Sequence, residues 1–520
     1  MKKKFNITGT CSPQRHYMMD NSAKLAGIME LIESGEYFTI NRPRQYGKTT
    51  TLSALSKLLN ERKDYSVIRT SFEGLGDRAF EREPAFCPMF MKEVQNSLRG
   101  SVLGEWLARY PEQADSFQQL SALISAMTAQ HEAKIVLLID EVDRSSDHTV
   151  FLDFLGLLRR KYLLRQEDAD TTFHSIVLAG VHDIKNLKHK MRADGEAKLN
   201  SPWNIATDFK IEMSFRPHEI APMLVEYSQA EDVEIDVPAF AEKLYYYTAG
   251  YPFLVSKLCK TLAEDILPQK PEKTWTMDDL EASVQLLLRE NNTNFDSLIK
   301  NLENNPDLYE LTYEIIVNGV SIPFNPDDRV ISLGRLYGVF KQNGTVKVHN
   351  RIYEQRIYNY LISNTLREHL RRKQAHIGFS YEKPDGSLDI EKALLRFQQF
   401  LREQYSAKDQ DFLERQWRLV FLAFFKPLLN GKGHDFKETQ ISDEKRLDVV
   451  VTYLQHKYIL ELKRWLGESY HQKGLNQLAD YLDRENVEEG YLVIFEGKKE
   501  KTQRQAWIEH AGKRIFAVWV

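Results

Sequence analysis

Two kinds of hydrophobic pattern alternate along the first part of the chain. Apolar residues at helical spacing predict helices over residues 22–34, 50–63 and 149–166. A continuous apolar run closed by acids, at residues 134–143, is typical of a parallel strand buried on both faces. Further strands are predicted at residues 37–40, 65–74, 173–181 and 209–215. Strands that alternate with helices favour a parallel α/β sheet, which is the predicted fold class.

After about residue 217 the pattern becomes mainly helical, beginning with residues 239–267. In residues 332–361, an Asn-Gly pair lies between apolar alternations and predicts a hairpin. Helices on either side of that hairpin would make the order that a winged-helix module requires. The charged residues 367–378 then indicate a linker helix or boundary, and residues 379–520 are long enough to fold alone.

Composition narrows the class of protein. The 42% hydrophobic and 28% charged residues are ordinary for a globular protein, and 520 residues at ~100–200 per domain predict three or four domains. A formal net charge of −4 excludes a chain that is basic throughout, although it is compatible with a local basic groove. Three distant cysteines show no metal-ligand spacing. With no apolar run long enough to span a bilayer, we expect a cytoplasmic protein without a membrane segment.

Residues 40–52, INRPRQYGKTTTL, contain the end of the phosphate-loop pattern G-x-x-x-x-G-K-[ST]. They lie between a predicted strand and a predicted helix, whose N-terminus would face the phosphates. Lys48 would reach the β- and γ-phosphates of ATP, and Thr49 would offer its hydroxyl to Mg²⁺. The loop residues expected to bind nucleotide are Arg44, Gln45, Tyr46, Gly47, Lys48, Thr49 and Thr50.

The first glycine of that pattern is replaced by Arg42. This position mainly sets the turn out of the strand, whereas the residues that contact phosphate most closely are intact. Pro43 can stiffen the turn, and Arg42 or Arg44 would add positive charge near the phosphates. We therefore expect Arg42 to slow hydrolysis more than it weakens binding.

The strand predicted at residues 134–143 delivers two adjacent acids, Asp140 and Glu141. Such a pair is the expected partner of a phosphate loop. Asp140 would hold the Mg²⁺ shell, and Glu141 would orient and polarise the attacking water. The alternative is a strand followed by a solvated acidic turn.

Four segments together carry a family resemblance: NRPRQYGKTT, LLIDEVD, VLAGVHDIKNL (177–187) and AGYPFLVSKLC (249–259). Through them, residues 1–365 resemble the archaeal-type/STAND branch of P-loop ATPases, in particular bacterial AAA-ATPase-like proteins. The resemblance implies a lid, with Gly250 and Pro252, that closes over the nucleotide, and a winged helix over residues 300–365. It also implies a polar sensor at His182 or Asp183.

A second constellation lies in residues 436–465, where two strands are predicted to form a hairpin. Asp448 begins the first strand. Glu461 and Lys463 end the second, at a spacing that places both on one face. Asp448 and Glu461 could share a Mg²⁺ ion that activates water for phosphodiester hydrolysis, and Lys463 could assist that water. Solvated charges at strand ends are the alternative.

This second pattern resembles the PD-(D/E)XK nuclease superfamily, which has a restriction-endonuclease-like α/β fold. The resemblance implies a helix with Gln477 and Tyr481 on one face, followed by a core strand at 489–496. It assigns Gln477 to the catalytic site and implies an upstream acidic metal ligand. Glu438 is the first candidate for that ligand, and Glu414 is the other.

The combined prediction has four domains: a P-loop core (1–235), a helical lid (236–300), a winged helix (301–370) and a nuclease-like domain (371–520). The favoured hypothesis is an ATP-binding and ATP-hydrolysing switch that controls a Mg²⁺-dependent nuclease. Its expected partners are ATP and nucleic acid, with DNA as the expected class; a homo-oligomer is left open. The alternative is a nucleotide-dependent signalling or scaffold ATPase whose last domain only binds nucleic acid or protein.

Overall fold

The computed structural model falls into two compact units, each described here by itself. Unit 1 comprises residues 1–308 and 324–352, and unit 2 comprises residues 309–323 and 353–520. The residues that the structure describes are 2–109, 114–145, 148–181, 202–316, 320–372, 381, 383–404, 417–418, 420–422, 424–425, 433–436, 449–453, 456–465, 467–496 and 504–520. The four-domain division stays a prediction.

Unit 1 is built on a four-stranded parallel sheet with the order β1-β4-β3-β2. This confirms the predicted parallel α/β fold class and four of the predicted strands. The strands are β1 (Tyr37–Asn41), β2 (Tyr65–Ser71), β3 (Lys134–Asp140) and β4 (Ser175–Gly180).

Helices cover both faces of this sheet. Along β3, Val136 and Leu138 belong to one buried cluster while Leu137 and Ile139 belong to the other, so the strand is apolar on both sides. The helices of this region are α1 (Ser22–Glu33), α2 (Lys48–Asn60), α3 (Glu83–Ser97), α4 (Val102–Arg109), α5 (Phe117–Ala129) and α6 (Thr149–Gln166). Helices α1, α2 and α6 confirm the three helices that the hydrophobic spacing predicts.

The strand predicted at residues 209–215 is wrong. These residues make no strand, and only the preceding Thr207 forms an isolated bridge, to Phe38. Phe209 and Ile211 are nevertheless packed against the core cluster beside β1. The backbone oxygen of Ile211 is taken by the Arg42 side chain instead of a neighbouring strand. The apolar pattern therefore reported burial correctly but not strand pairing.

The mainly helical pattern after residue 217 is confirmed. A left-handed turn at Ala249 (φ 49°) and Gly250 (φ 71°) separates the helix that ends at Thr248 from the helix that begins at Pro252. A Cβ at Gly250 would lie 2.0 Å from the oxygen of Phe215, so glycine is required there. The helices are α7 (Pro217–Glu231), α8 (Val237–Thr248), α9 (Pro252–Thr261), α10 (Met277–Arg289) and α11 (Thr293–Glu303).

Along the chain a helix, a hairpin and a helix follow, as predicted; the hairpin belongs to unit 1, whereas the first helix from Tyr309 and the second from Tyr353 belong to unit 2. The two hairpin strands pair antiparallel around Gly344, whose φ is 70°. The elements are α12 (Pro306–Ile316), α13 (Arg329–Leu336), β5 (Phe340–Asn343), β6 (Thr345–Val348) and α14 (Arg351–Arg372). The winged-helix assignment of this segment stays a prediction.

Unit 2 contains a six-stranded mixed sheet with the order β11-β12-β10-β9-β8-β7. The neighbours β9, β10 and β12 are parallel, and the other pairs are antiparallel. The elements are α15 (Ile390–Gln404), β7 (Gly433–Phe436), β8 (Val449–Tyr453), β9 (His456–Arg464), α16 (Glu468–Arg484), β10 (Glu489–Phe495), β11 (Arg504–His510) and β12 (Lys513–Trp519).

The predicted hairpin, the helix with Gln477 and the strand after it are all present in unit 2, as β8–β9, α16 and β10. The restriction-endonuclease-like assignment stays a prediction. Within the described residues, none of the helices combines the length and the apolar character needed to cross a bilayer.

Candidate functional sites

The phosphate loop, residues 42–47, connects the end of β1 to α2, whose first residue is Lys48. Within it, Gln45 (φ 57°) and Gly47 (φ 81°) adopt left-handed backbone conformations. Arg42 does not, so its backbone has no need of glycine's freedom. The conformational demand of this loop falls at positions 45 and 47.

The Arg42 side chain turns away to brace another segment. Its guanidinium donates hydrogen bonds to the oxygens of Asn41 (2.8 Å) and Ile211 (2.7 Å) and lies 5.3 Å from the centre of the Phe209 ring. Burial lowers the pKa of Arg42. Of the two arginines expected to add charge near phosphate, the exposed Arg44 therefore remains the candidate.

Lys48 is buried, with only 6% of its surface exposed, and its ammonium group is held by the loop itself. It donates to the backbone oxygens of Arg42 (2.9 Å) and Pro43 (3.0 Å). Burial lowers the pKa of Lys48, and the charges of Glu141, Asp143 and Asp140 oppose that shift. The structure thus brings the predicted phosphate lysine and the predicted acids into one electrostatic site.

Asp140 is the last residue of β3 and is buried, and its Oδ1 accepts a hydrogen bond from the backbone N of Glu141 at 3.0 Å. Glu141 has a left-handed backbone with φ of 56°, a conformation that costs a residue with a side chain about 1–3 kcal/mol and clusters at functional sites. Burial and Asp143 raise the pKa of the Glu141 carboxyl, while Lys48 lowers it.

Asp143 is a third acid that the sequence analysis did not single out. Its Oδ1 accepts a hydrogen bond from the backbone N of Val181 at 2.8 Å, just beyond β4. A Cβ at Gly180 would lie 2.4 Å from that oxygen, so glycine makes room for the carboxylate. The sequence signal for this residue is its position in LLIDEVD, two positions after Glu141.

The remaining predicted loop residues face different neighbours. Thr49 is half-buried, and the Thr50 hydroxyl accepts a hydrogen bond from the backbone N of Cys11 at 3.1 Å. Tyr46 is buried against Tyr251, the residue before Pro252 at the start of α9. The predicted lid residue thus begins the helix next to the loop.

These groups match the chemistry of a bound Mg²⁺–ATP. The N-terminus of α2 favours anionic phosphate. The space beside Gly47 is open, since a Cβ there would meet no atom within 4 Å. A lysine, a threonine hydroxyl and two carboxylates supply the donors and the hard oxygen ligands that phosphate and Mg²⁺ prefer.

In unit 2, three predicted nuclease residues converge. Glu461 is fully buried in β9, and its Oε1 lies 2.7 Å from the Lys463 ammonium. Lys463 also donates to Oε1 of Gln477 in α16 at 3.1 Å. The Tyr470 ring, 40% exposed, is centred 6.0 Å from the same ammonium.

Several predicted residues lie outside the described residues. These are the candidate metal ligands Asp448, Glu438 and Glu414 and the candidate sensors His182 and Asp183. Among the residues that are described, no group of three or more His, Cys, Asp or Glu side chains is placed to hold a metal ion.

A family model described as an AAA-like domain matches residues 10–359. The chain belongs to the AAA-like domain family. The matched residues form about two thirds of the sequence and include the phosphate loop, Asp140 at the end of β3 and Glu141 after it. The N-terminal part of the chain is therefore a P-loop ATPase domain of the AAA-like type.

One curated relative of this AAA-like chain is an uncharacterized WD repeat-containing protein of Synechocystis, 27% identical over 308 residues. The match covers 55% of this chain and 24% of the relative, so the chain spans about a quarter of that protein's length.

Solved structures similar to the AAA-like chain include a Walker-type ATPase of Pyrococcus abyssi, with 13% identity and a TM-score of 0.44 over 68% of this chain and 99% of that one. Another is the Aeropyrum pernix Orc1 protein in complex with DNA, with 13% identity, a TM-score of 0.31 and coverage of 67% and 94%. The Thermotoga maritima RuvB branch-migration motor has 16% identity, a TM-score of 0.34 and coverage of 68% and 98%.

Proposed function

We propose that the chain binds Mg²⁺–ATP at the phosphate loop and hydrolyses it. The observation that carries this proposal is the placement of Lys48 at the start of α2, in the loop after β1, with Asp140 and Glu141 at the end of β3 in the same parallel sheet. The Lys48 ammonium would exchange the oxygens of Arg42 and Pro43 for phosphate oxygens. Thr49 and Asp140 would hold Mg²⁺, and Glu141 would orient the attacking water.

The loop residues Arg44, Gln45, Tyr46 and Gly47 would shape the phosphate cradle, with Thr50 at the start of α2 and Pro252 on the lid side. Bound Mg²⁺ would neutralise the charge that develops on the transferred phosphoryl group. Burial raises the pKa of the Glu141 carboxyl, which makes it a stronger proton acceptor than an ordinary glutamate.

We further propose that unit 2 is a metal-dependent nuclease acting on nucleic acid, with DNA as the favoured class, under control of the ATPase. A defence role against foreign DNA fits that pairing of activities. The convergence of Glu461, Lys463 and Gln477 supports the proposal. Glu461, with Asp448 and Glu438, would supply oxygen ligands to Mg²⁺, and Lys463 would stabilise charge or assist the water.

One experiment tests both activities: ATP turnover and cleavage of single- and double-stranded DNA and RNA, with and without ATP and Mg²⁺. We expect Lys48→Ala to abolish ATP binding and turnover and Lys463→Ala to abolish cleavage while ATP binding persists. Lys457→Ala, at an exposed position of the same strand β9, is the matched control for Lys463. Unchanged ATP binding in Lys48→Ala would overturn the loop assignment.

The direct Glu461–Lys463 ion pair also supports a second candidate function. A carboxylate neutralised in this way can be purely structural, and unit 2 would then bind nucleic acid or a protein without cutting. Retained ATP turnover with no cleavage of any tested substrate would favour this signalling or scaffold role.

A further inference from the structure

Three buried rings join the phosphate loop to more distant parts of unit 1. We call Tyr46, Tyr251 and His349 the aromatic junction. The ring centroids of Tyr46 and Tyr251 are 4.6 Å apart, and those of Tyr251 and His349 are 5.5 Å apart. The Tyr46 hydroxyl and Nε2 of His349 share a hydrogen bond of 3.1 Å. His349 lies between β6 and α14, at the end of what we call the hairpin segment, residues 329–350.

Every residue from 43 to 46 is contacted by an element C-terminal to the sheet. Pro43 packs against Gly338 so closely that a Cβ there would lie 2.7 Å from its Cγ. The oxygen of Arg44 accepts the Tyr251 hydroxyl, and Gln45 donates to the Thr293 hydroxyl at 3.3 Å. Tyr46 completes the series through His349. The shape of the loop is thus fixed largely by residues more than 200 positions away.

The lysine that would bind phosphate is tied to the same backbone. Its ammonium donates to the oxygens of Arg42 and Pro43, and Pro43 is the residue that packs against Gly338. A ligand that binds the Lys48 ammonium would break its hydrogen bonds to Arg42 and Pro43. The backbone at Pro43, which packs against the hairpin segment, would then lose one of its constraints. Conversely, a shift of the hairpin segment changes how firmly Lys48 is held.

We propose that the aromatic junction positions the phosphate loop, so that the hairpin segment sets nucleotide affinity and senses nucleotide occupancy in return. Tyr46 and His349 are the positioning residues, and the coupling is reciprocal by thermodynamic linkage. The inference rests on the proposed binding of nucleotide at the loop. Burial lowers the pKa of His349 to about 4, which keeps the ring neutral and able to pair with the hydroxyl.

The test is a double-mutant cycle with Tyr46→Phe and His349→Phe, measuring the Kd for ADP and the unfolding midpoint of each variant. We expect each single variant to change the Kd by about 5–150-fold, and the double variant to change it no further than one of them. Tyr251→Phe removes only the hydroxyl that binds Arg44, and it provides a milder variant should His349→Phe fail to fold.

Tyr37→Phe is the matched control. Tyr37 is also buried, and its hydroxyl donates to the oxygen of Phe173 at 2.9 Å, within the same unit but outside the loop. It should lower the unfolding midpoint and leave the Kd for ADP unchanged. Equal losses of stability in all these variants, with an unchanged Kd, would reduce the junction to ordinary packing and overturn the inference.

A second readout is amide hydrogen exchange of Phe340–Asn343 and Thr345–Val348. ADP at saturation should change exchange in these strands of the wild-type chain, and the change should be lost in Tyr46→Phe. An ADP-independent exchange rate in the wild type would contradict the coupling. Loss of ADP binding in Lys48→Ala alone keeps the proposed function intact, whereas a wild-type chain that binds no nucleotide overturns both.

Discussion

Each unit places a lysine near carboxylates, buried Lys48 in unit 1 and half-buried Lys463 in unit 2, yet the two lysines are held in different ways. Lys48 in unit 1 donates to backbone oxygens, and the charges of Glu141, Asp143 and Asp140 act on it. Lys463 in unit 2 makes a direct ion pair with Glu461, which is fully buried.

The two arrangements differ in what happens when the lysine leaves its partner. Backbone oxygens are neutral partners, so Lys48 can leave them for a phosphate without leaving a bare charge in the interior. Glu461 has no such freedom, because a buried carboxylate that loses its cation is strongly destabilised. Lys48 could therefore change its partners at little cost, whereas removal of Lys463 would leave Glu461 without its cation.

Removal of the two lysines should change stability by different amounts. Lys463→Ala should lower the free energy of unfolding by about 3 kcal/mol, since it leaves Glu461 uncompensated. Lys48→Ala should change it by less than about 1 kcal/mol, because its removal also relieves the cost of burying an ammonium group. Urea unfolding of each variant measures both values.

A control isolates the ion pair. Replacing both partners, Glu461→Leu with Lys463→Met, should restore most of the stability lost in Lys463→Ala, as apolar replacements of buried pairs commonly do. Equal stability losses in Lys48→Ala and Lys463→Ala would show that the two lysines are held alike.

Glu141 is the proposed proton acceptor of unit 1. Glu141→Gln should reduce ATP turnover by about 10²–10³-fold, because a neutral amide cannot accept the proton of the attacking water. The Kd for ATP should not rise, since Glu141 is assigned to the water and Lys48 to the phosphates. The exposed Glu73→Gln, which removes a nearby carboxylate, is the matched control.

The pH dependence of the same activity has a fixed sign. The pKa of Glu141 is raised above its ordinary 4.5. The carboxylate that accepts the proton is therefore already protonated at pH values somewhat above 4.5. Turnover should therefore rise with pH through that range. Asp143→Asn removes a charge that raises this pKa, so the rise should move to lower pH. A profile that does not move would separate turnover from the ionisation of Glu141.

Arg42 stands where the phosphate-loop pattern has glycine. Arg42→Gly should cost about 1–2 kcal/mol of stability through the lost bond to Ile211, and it should leave the Kd for ATP unchanged. Exposed Arg44→Gly should show the opposite profile, with weaker ATP binding and little loss of stability. A weaker Kd in Arg42→Gly would show that this guanidinium reaches the phosphates after all.

Much of unit 1 could be predicted from local sequence patterns. Four strands, the helix that begins at Lys48 and the hairpin around Gly344 all follow from hydrophobic spacing and turn residues. The acids of β3 were found for the same reason, since a parallel strand brings its last residues to the edge where the loop lies. In unit 2, the period of two correctly placed Glu461 and Lys463 on one face.

What the sequence left out depends on contacts between distant residues. The pairing of Tyr46 with His349 and the bond from Arg42 to Ile211 join positions that no local pattern relates. The wrong strand at 209–215 has the same origin, because an apolar segment signals burial and not its partner. Asp143 follows Glu141 by two positions, but its importance depends on its contact with Gly180, which the sequence does not reveal.

The brace made by Arg42 has a consequence for the evolution of the loop. An arginine can stand where the pattern has glycine because Phe209 and the backbone at Ile211 receive its side chain. A homologue with glycine at this position would have no guanidinium for an aromatic ring at 209 to receive. Positions 42 and 209 should therefore covary across homologues, even though they are 167 positions apart.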